Sequence, residues 1–195
     1  VIKKGLSTKR FVLRAFLSKT DKKPFIIDDH GEYWRCYRYI HNSVTYDLVE
    51  NLDIIERVGR AFGVFHDCLE GFDAGALYES IPDFHNTPKR YKALYDAIEK
   101  NPCKRVKELS QEIADLKSFE ADACLLQNYL DAGKIPLRVT HNDTKLNNCM
   151  FDKDTGATIC VIDLDTIMPG LRAYDYGDSI RFGATTGSED ETDLS

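Results

Sequence analysis

No stretch of the chain approaches the run of about 18 apolar residues that a membrane-spanning helix requires, so no transmembrane segment is read from it. Basic surplus is also missing: 26 Lys and Arg stand against 32 Asp and Glu, for a net charge of −6. A general nucleic-acid binder carries the opposite balance, because neutralising phosphates supplies most of its affinity. The six cysteines, at positions 36, 68, 103, 124, 149 and 160, include no C-x-x-C pair and no Cys/His cluster of zinc spacing. Reduced thiols in the cytoplasm are the expectation. The opening stretch VIKKGLSTKRFVLR lacks the apolar core of a secretory signal. Internal repeats and low-complexity linkers are absent too. The missing initiator Met and the abrupt close on SEDETDLS lead to the expectation of a fragment, or of a chain whose disordered parts are missing.

What is present is enough for a sizeable core: 195 residues, 43% of them hydrophobic and 30% charged, suggest one domain or one and a fraction. KRFVLRAF and PFIID read as short strands. After the DDHG turn, Tyr33, Arg35, Tyr37 and Tyr39 alternate with Trp34, Cys36, Arg38 and Ile40, which predicts a further aromatic-rich strand. The period then lengthens. Ile54, Ile55, Val58, Ala61, Phe62, Phe65, Cys68 and Leu69 have helical spacing, with Gly71 just past the end. NTPKRYKALYDAIEK predicts a second helix, with Thr87 as N-cap and Pro88 at its first position. Val106, Leu109, Ile113, Leu116, Phe119, Ala123, Leu126 and Leu130 predict one long helix stopped at Gly133. After Pro136, LRVTH, CMF and ATICVID read as strands, the last two joined by the turn DKDTG. The expected class is α+β, with a polar constellation late in the chain.

That constellation begins in VTHNDTKLNNCMFD. Asp143 and Asn148 share one loop, and Asp163 ends the strand after the hairpin. A hairpin brings its outer ends together, so Asp163 can approach Asn148. An amide oxygen and a carboxylate are hard ligands of the kind Mg²⁺ prefers. Asp143 is then left to act as a base. The spacing H-x-D-x-x-x-x-N, followed by an apolar strand and an Asp, is the arrangement of kinase-type phosphotransfer: His141, Asp143, Asn148, then Asp163. Lys145 is placed where an ammonium steadies the transferring phosphoryl group. The competing reading is a solvated turn of Asn, Asp, Thr and Lys; the hairpin spacing and VIDLD weigh against it.

THNDTKLNNCMFD and VIDLDTIMPGLRAYDYGDSIRFG resemble the aminoglycoside phosphotransferase and choline kinase superfamily. Within it, GEYWRCY and IPDFHNTPKRY look like segments of bacterial N-acetylhexosamine 1-kinases. The resemblance covers most of the chain from about Phe25 onward. It implies a two-lobed protein-kinase-like fold with ATP between the lobes. An incomplete β-rich nucleotide lobe would span residues 1–40, and a helical lobe with the catalytic and metal loops residues 41–195. CYRYI would be the hinge, with Cys36, Arg38 and Ile40 meeting adenine. Asp143 matches the catalytic base, and Asn148 and Asp163 the Mg²⁺ ligands. Asp165 stands where many relatives carry another residue; it either assists the metal or solvates the loop. Asp175 matches the Asp that braces the catalytic loop, against the alternative of a surface turn.

Two family features are missing: a Gly-rich phosphate-covering loop, and a helix carrying the Glu that pairs with a nucleotide-binding Lys. Arg14 occupies the place of that Lys, where its fork is able to hold phosphate, yet FVLRAFLSKTDKKPFII moves almost directly to the next strand. Trp34 reads as core and His66 as structural. Asp83, His85 and Asn86 precede a helix N-terminus, a region suited to sugar hydroxyls or to capping alone. Arg181 reaches either substrate or a surface partner. Three functions follow: an ATP-dependent kinase acting on the anomeric hydroxyl of an N-acetylhexosamine, a kinase of an aminoglycoside or amino alcohol, and a kinase-like domain without activity. For a cationic acceptor, the acid run SEDETD offers either a partner or a solvated tail.

Overall fold

The computed structural model describes residues 12–49 and 51–185. Its elements run β1 (Ile26–Ile27), β2 (Tyr33–Trp34), β3 (Ser43–Val44), α1 (Leu52–Cys68), α2 (Thr87–Lys100), α3 (Ser110–Ala123), α4 (Leu125–Asp131), β4 (Arg138–Thr140), β5 (Cys149–Asp152), β6 (Thr158–Val161), β7 (Met168–Gly170) and α5 (Arg172–Gly183). The class is α+β, as predicted. Among the described residues no helix is long and apolar enough to cross a membrane.

Helix α1 organises the core. The Asn51 side chain accepts from Ile54 N at 3.1 Å and caps its first turn. Residues three and four apart then bury Ile54, Val58, Ala61 and Phe62 on one face. That face meets Leu146, Cys149 and Phe151, so the helix packs directly on the polar loop and the hairpin that follows it. Strands β3, β5 and β6 form an antiparallel sheet in that order. The β5–β6 turn is held by Asp152, whose Oδ1 accepts from Asp154 N at 3.1 Å and Thr155 N at 3.0 Å. Gly156 completes the turn at φ 65°, a left-handed conformation that glycine takes at little cost.

The pairing of β4 with β7 does not follow from local pattern. Thr140 faces Met168 and Arg138 faces Gly170. Thr140 Oγ1 donates to Met168 O at 3.0 Å. A Cβ on Gly170 would lie 2.3 Å from that same hydroxyl, so only glycine lets the two strands close. Helix α5 starts at once after β7 and lands beside the loop that leaves β4.

Four sequence expectations are corrected. The predicted strand from Glu32 to Ile40 shrinks to Tyr33–Trp34 plus a single bridge between Ala15 and Tyr37, and of the predicted strand KRFVLRAF residues 9–11 lie outside the described residues. Trp34 is not core: it is 60% exposed, and its indole N–H donates to Asp28 Oδ2 at 2.8 Å. Among the described residues both strands of the β1–β2 pair are exposed, so their aromatic content buries little. Asn86, not Thr87, caps α2, because its side chain accepts from Lys89 N at 3.2 Å and Pro88 falls one position later. The long third helix is two helices meeting at Cys124, and no residue of α3 is buried. The apolar stripe there has the right period, but α2 meets α3 through the Tyr91 hydroxyl on Leu116 O at 2.8 Å and through Tyr95 on Glu120, and the stripe stays unburied.

Burial therefore sorts the aromatic residues. Phe151 is 1% exposed and packs edge-on against Tyr46, with ring centroids 5.3 Å apart, whereas Phe119 is 61% exposed. In urea unfolding, Phe151→Ala is expected to cost about 3–5 kcal/mol and Phe119→Ala less than about 0.5 kcal/mol. Equal costs would show that the α1–hairpin core does not carry the stability.

Candidate active site

The loop between β4 and β5 is where the polar side chains meet. Asn142 adopts a left-handed φ of 67°, unusual for a residue with a Cβ. Its Nδ2 donates to Thr166 O at 2.9 Å and Thr140 O at 3.4 Å. Thr166 Oγ1 returns a bond to His141 O at 2.7 Å. His141 is fully buried, with Nε2 2.9 Å from Ile162 O and its ring against Phe62 and Phe65. These contacts stitch the loop to the segment after β6.

Asp175 holds the same loop from the other side. It is 1% exposed, in the first turn of α5. Its Oδ2 accepts from His141 N at 2.8 Å and its Oδ1 from Asn142 N at 2.7 Å. Thr144 Oγ1 donates to Asp175 O at 2.8 Å, and Thr144 N donates to Asp178 Oδ2 at 2.7 Å. The surface-turn reading of Asp175 is thereby excluded. A buried carboxylate is tolerated because main-chain N–H donors replace its lost water.

Asp143, the next residue after this brace, is mostly buried but reachable. Asn148 Nδ2 donates to its Oδ2 at 2.9 Å and to its main-chain O at 2.8 Å. Lys145 Nζ lies 3.3 Å from Oδ1. The sequence reading of Asp143, Lys145 and Asn148 thus picked three residues that the structure brings together. Across the hairpin, Ile162 N donates to Asn148 O at 2.9 Å. Asp163 follows immediately, exposed and left-handed at φ 58°. Asp165 forms an ion pair with Arg35, so its carboxylate ties this loop to the segment after β2.

The other predicted site residues sit differently. Cys36 O accepts from Phe16 N at 2.8 Å, and Arg38 N donates to Arg14 O at 2.9 Å. Those two main-chain groups of the expected hinge are engaged in the bridge between Ala15 and Tyr37, and by alternation it is Tyr37 whose N–H and C=O face the opposite edge. Arg14 is exposed, and Ile40 is buried against Ile159 and Cys160. Asn86 caps α2, and its Nδ2 donates to Asp83. Arg181 pairs with Asp178 Oδ1, at 3.0 Å from Nε and 2.9 Å from a terminal nitrogen. His85 stacks on Tyr174 with ring centroids 4.7 Å apart, and its buried Nε2 has no hydrogen-bond partner among the described residues. Burial pushes the His85 imidazole below its usual value, the fields of Asp178 and Asp175 opposing weakly.

Sequence reasoning missed Asp178 and Thr144. Their only local signal was Asp178 standing one helical turn after Asp175. Cys149 and Cys160 are near the loop, but burial pushes their thiols up to about 12 and about 11, which removes them as nucleophiles at neutral pH.

Residues 22–193 match the model of the phosphotransferase enzyme family, APH. The chain belongs to the phosphotransferase enzyme family. Its chemistry is that of a kinase-type enzyme acting on small molecules, and enzymes of this family generally use ATP and a divalent metal. The donor set of this phosphotransferase fits a hard cation shared with phosphates. The Asn148 amide nitrogen is held by Asp143, which leaves its oxygen as the remaining ligand atom, and Asp163 lies two residues past the end of the adjoining strand β6. Among the described residues no group of three His, Cys, Asp or Glu forms a protein-only metal cage. Mg²⁺ characteristically takes one or two protein oxygens and completes its shell with phosphate and water.

Replacing Asp175 by Asn keeps the shape but substitutes an NH₂ donor for one of the two accepting oxygens. One buried N–H of the loop then faces a donor, at a cost of about 1–3 kcal/mol. Urea unfolding of Asp175→Asn should show that loss. A change under about 0.5 kcal/mol would mean that the carboxylate does not hold the loop.

Proposed function

We propose that this phosphotransferase moves the γ-phosphoryl group of ATP to the anomeric hydroxyl of an N-acetylhexosamine, N-acetylglucosamine or N-acetylgalactosamine. The observation that carries the phosphotransfer reading is the triangle of Asp143, Asn148 and Lys145, built on a loop braced by Asp175. The acceptor oxygen bonds to the γ-phosphorus as the bond from phosphorus to the departing ADP oxygen breaks. The hydroxyl proton passes to Asp143 Oδ. Asn148 supports this role by donating to that carboxylate, which fixes its direction. Lys145 balances charge at Oδ1 and stands beside the transferring group. Asn148 Oδ1 and Asp163 would hold Mg²⁺, which when bound neutralises charge on the phosphates.

Residues 1–40 would supply the nucleotide side and residues 41–195 the catalytic lobe, with adenine along the segment from Cys36 to Ile40 and Arg14 near phosphate. The sugar assignment is supported by the resemblance of GEYWRCY and IPDFHNTPKRY to N-acetylhexosamine kinases. His85 adds a neutral imidazole with an unfilled buried nitrogen, a partner suited to a hydroxyl or an acetamido group rather than to an ammonium. The six free thiols support a reducing, cytoplasmic setting. Neither nucleic acid nor membrane is expected as a partner.

Asp143→Asn should lower turnover by about 10²-fold or more while ATP affinity stays within about twofold, since the side chain meets the acceptor proton and not the nucleotide. Near-normal turnover would remove Asp143 from the base role. A panel of N-acetylglucosamine, N-acetylgalactosamine, choline and kanamycin should show phosphorylation of the two sugars ahead of both amines. Preference for an amine would overturn the sugar assignment and leave the phosphotransfer chemistry intact. No phosphorylation of any acceptor, together with no Mg²⁺-ATP binding, would favour a kinase-like domain without activity.

A further inference from the structure

Asp175 has a third donor that the catalytic reading leaves without a role. His66 stands in the last turn of α1, 109 positions earlier in the chain, with Nε2 2.6 Å from Asp175 Oδ2. The imidazole is 13% exposed and the carboxylate 1% exposed, so the contact is shielded from solvent. The same oxygen accepts the His141 amide at 2.8 Å. Phe65, the preceding residue of α1, lies edge-on to the His141 ring with centroids 5.6 Å apart. The end of α1 therefore touches the loop twice, once through Asp175 and once through ring packing.

We propose that His66 is a positioning residue for phosphotransfer, setting the rotation of the Asp175 carboxylate and through it the path of the main chain at His141 and Asn142. This rests on the reading of Asp143 as the reacting carboxylate. The geometry explains why one donor matters. Both amide donors come from the same loop, so the carboxylate and the loop are able to shift together. A third donor on Oδ2, delivered from a different helix, stops that motion. Asn142 sits at a left-handed φ of 67° and needs its N–H held on Oδ1 to stay there. Asp143 is the next residue, so a rotation of Asp175 is passed to the base within one peptide unit. Displacements of about 1 Å at such a site are able to cost about 10²-fold in rate.

The test compares His66→Leu, which removes the donor at similar volume, with His66→Gln, which restores a nitrogen donor near the position of Nε2. Amide hydrogen exchange at His141 and Asn142 is measured by NMR on the full chain, with α2 amides from Tyr91 to Ala97 as reference. His66→Leu should speed exchange at His141 and Asn142 by about tenfold and leave α2 unchanged, and His66→Gln should return both amides to within about threefold of wild type. In the same variants kcat should fall about tenfold or more in Leu and recover in Gln, with the KM for ATP within about twofold. Unchanged exchange in His66→Leu overturns the inference. Acceleration spread equally over α2 overturns it too, because His66 would then only fill space. If His66→Leu does not fold, the decision passes to His66→Gln: exchange near wild type supports positioning by the donor, and a tenfold rise overturns it. Local acceleration in a protein with no phosphotransfer activity supports the positioning role and separately refutes the reading of Asp143.

Discussion

The buried carboxylate of Asp175 is the constraint around which the polar loop is arranged. Two successive main-chain amides, from His141 and Asn142, point at its two oxygens. Two successive N–H groups converge on one carboxylate only if φ and ψ of the residue between them, His141, turn both peptide planes toward it, and the left-handed Asn142 that follows redirects the chain to Asp143. The ion would be prohibitively costly to bury without those donors, and the turn would be strained without the ion. Each makes the other tolerable. Removing either partner leaves a buried polar group unsatisfied, which is why the cost of losing such a contact exceeds the net gain of forming it.

From that constraint the reactive geometry follows in sequence order. The chain leaves β4, is turned by Asp175, and presents Asp143 with its main-chain O and Oδ2 both available to Asn148 Nδ2. The 3₁₀ turn at Leu146–Asn148 returns the chain into β5 while burying Leu146 against α1. The hairpin then brings Ile162 N back onto Asn148 O, one residue before Asp163. Nothing in this series depends on side-chain flexibility: the reacting carboxylate is placed by backbone geometry, as preorganised electrostatic catalysis requires. The Arg35–Asp165 pair adds a tie from the segment after β2 to the loop that carries Asp163.

The segments whose burial is high within the described residues are also those where sequence patterns read correctly. In α1 the apolar period predicts the buried set of Ile54, Val58, Ala61 and Phe62, because one face packs on the hairpin. In α3 an equally regular stripe predicts burial that does not occur, since period reports amphipathicity and not the presence of a partner. Trp34 shows the same limit. Aromatic content favours a strand, yet the β1–β2 pair has exposed faces and its indole turns to Asp28. For Asn86 and Arg181, residue type alone left two uses open, and the local hydrogen bonds place one at a helix cap and the other on Asp178.

Sequence alone determined the α+β order, the α1 stripe, the β5–β6 hairpin and the grouping of Asp143, Lys145 and Asn148, because each depends on neighbours within about twenty residues and on periods set by covalent geometry. The family resemblance from those motifs agrees with the match over residues 22–193. Tertiary structure decided the rest. The pairing of β4 with β7 through Thr140 and Gly170, the bracing of His141 and Asn142 by Asp175, the reach of His66 across the core, and the engagement of Asp178 by Thr144 all join residues 28 to 109 positions apart. Such contacts leave no local period to read: they exist because a buried amide, hydroxyl or carboxylate must find a partner, and only the folded chain decides which one is within reach.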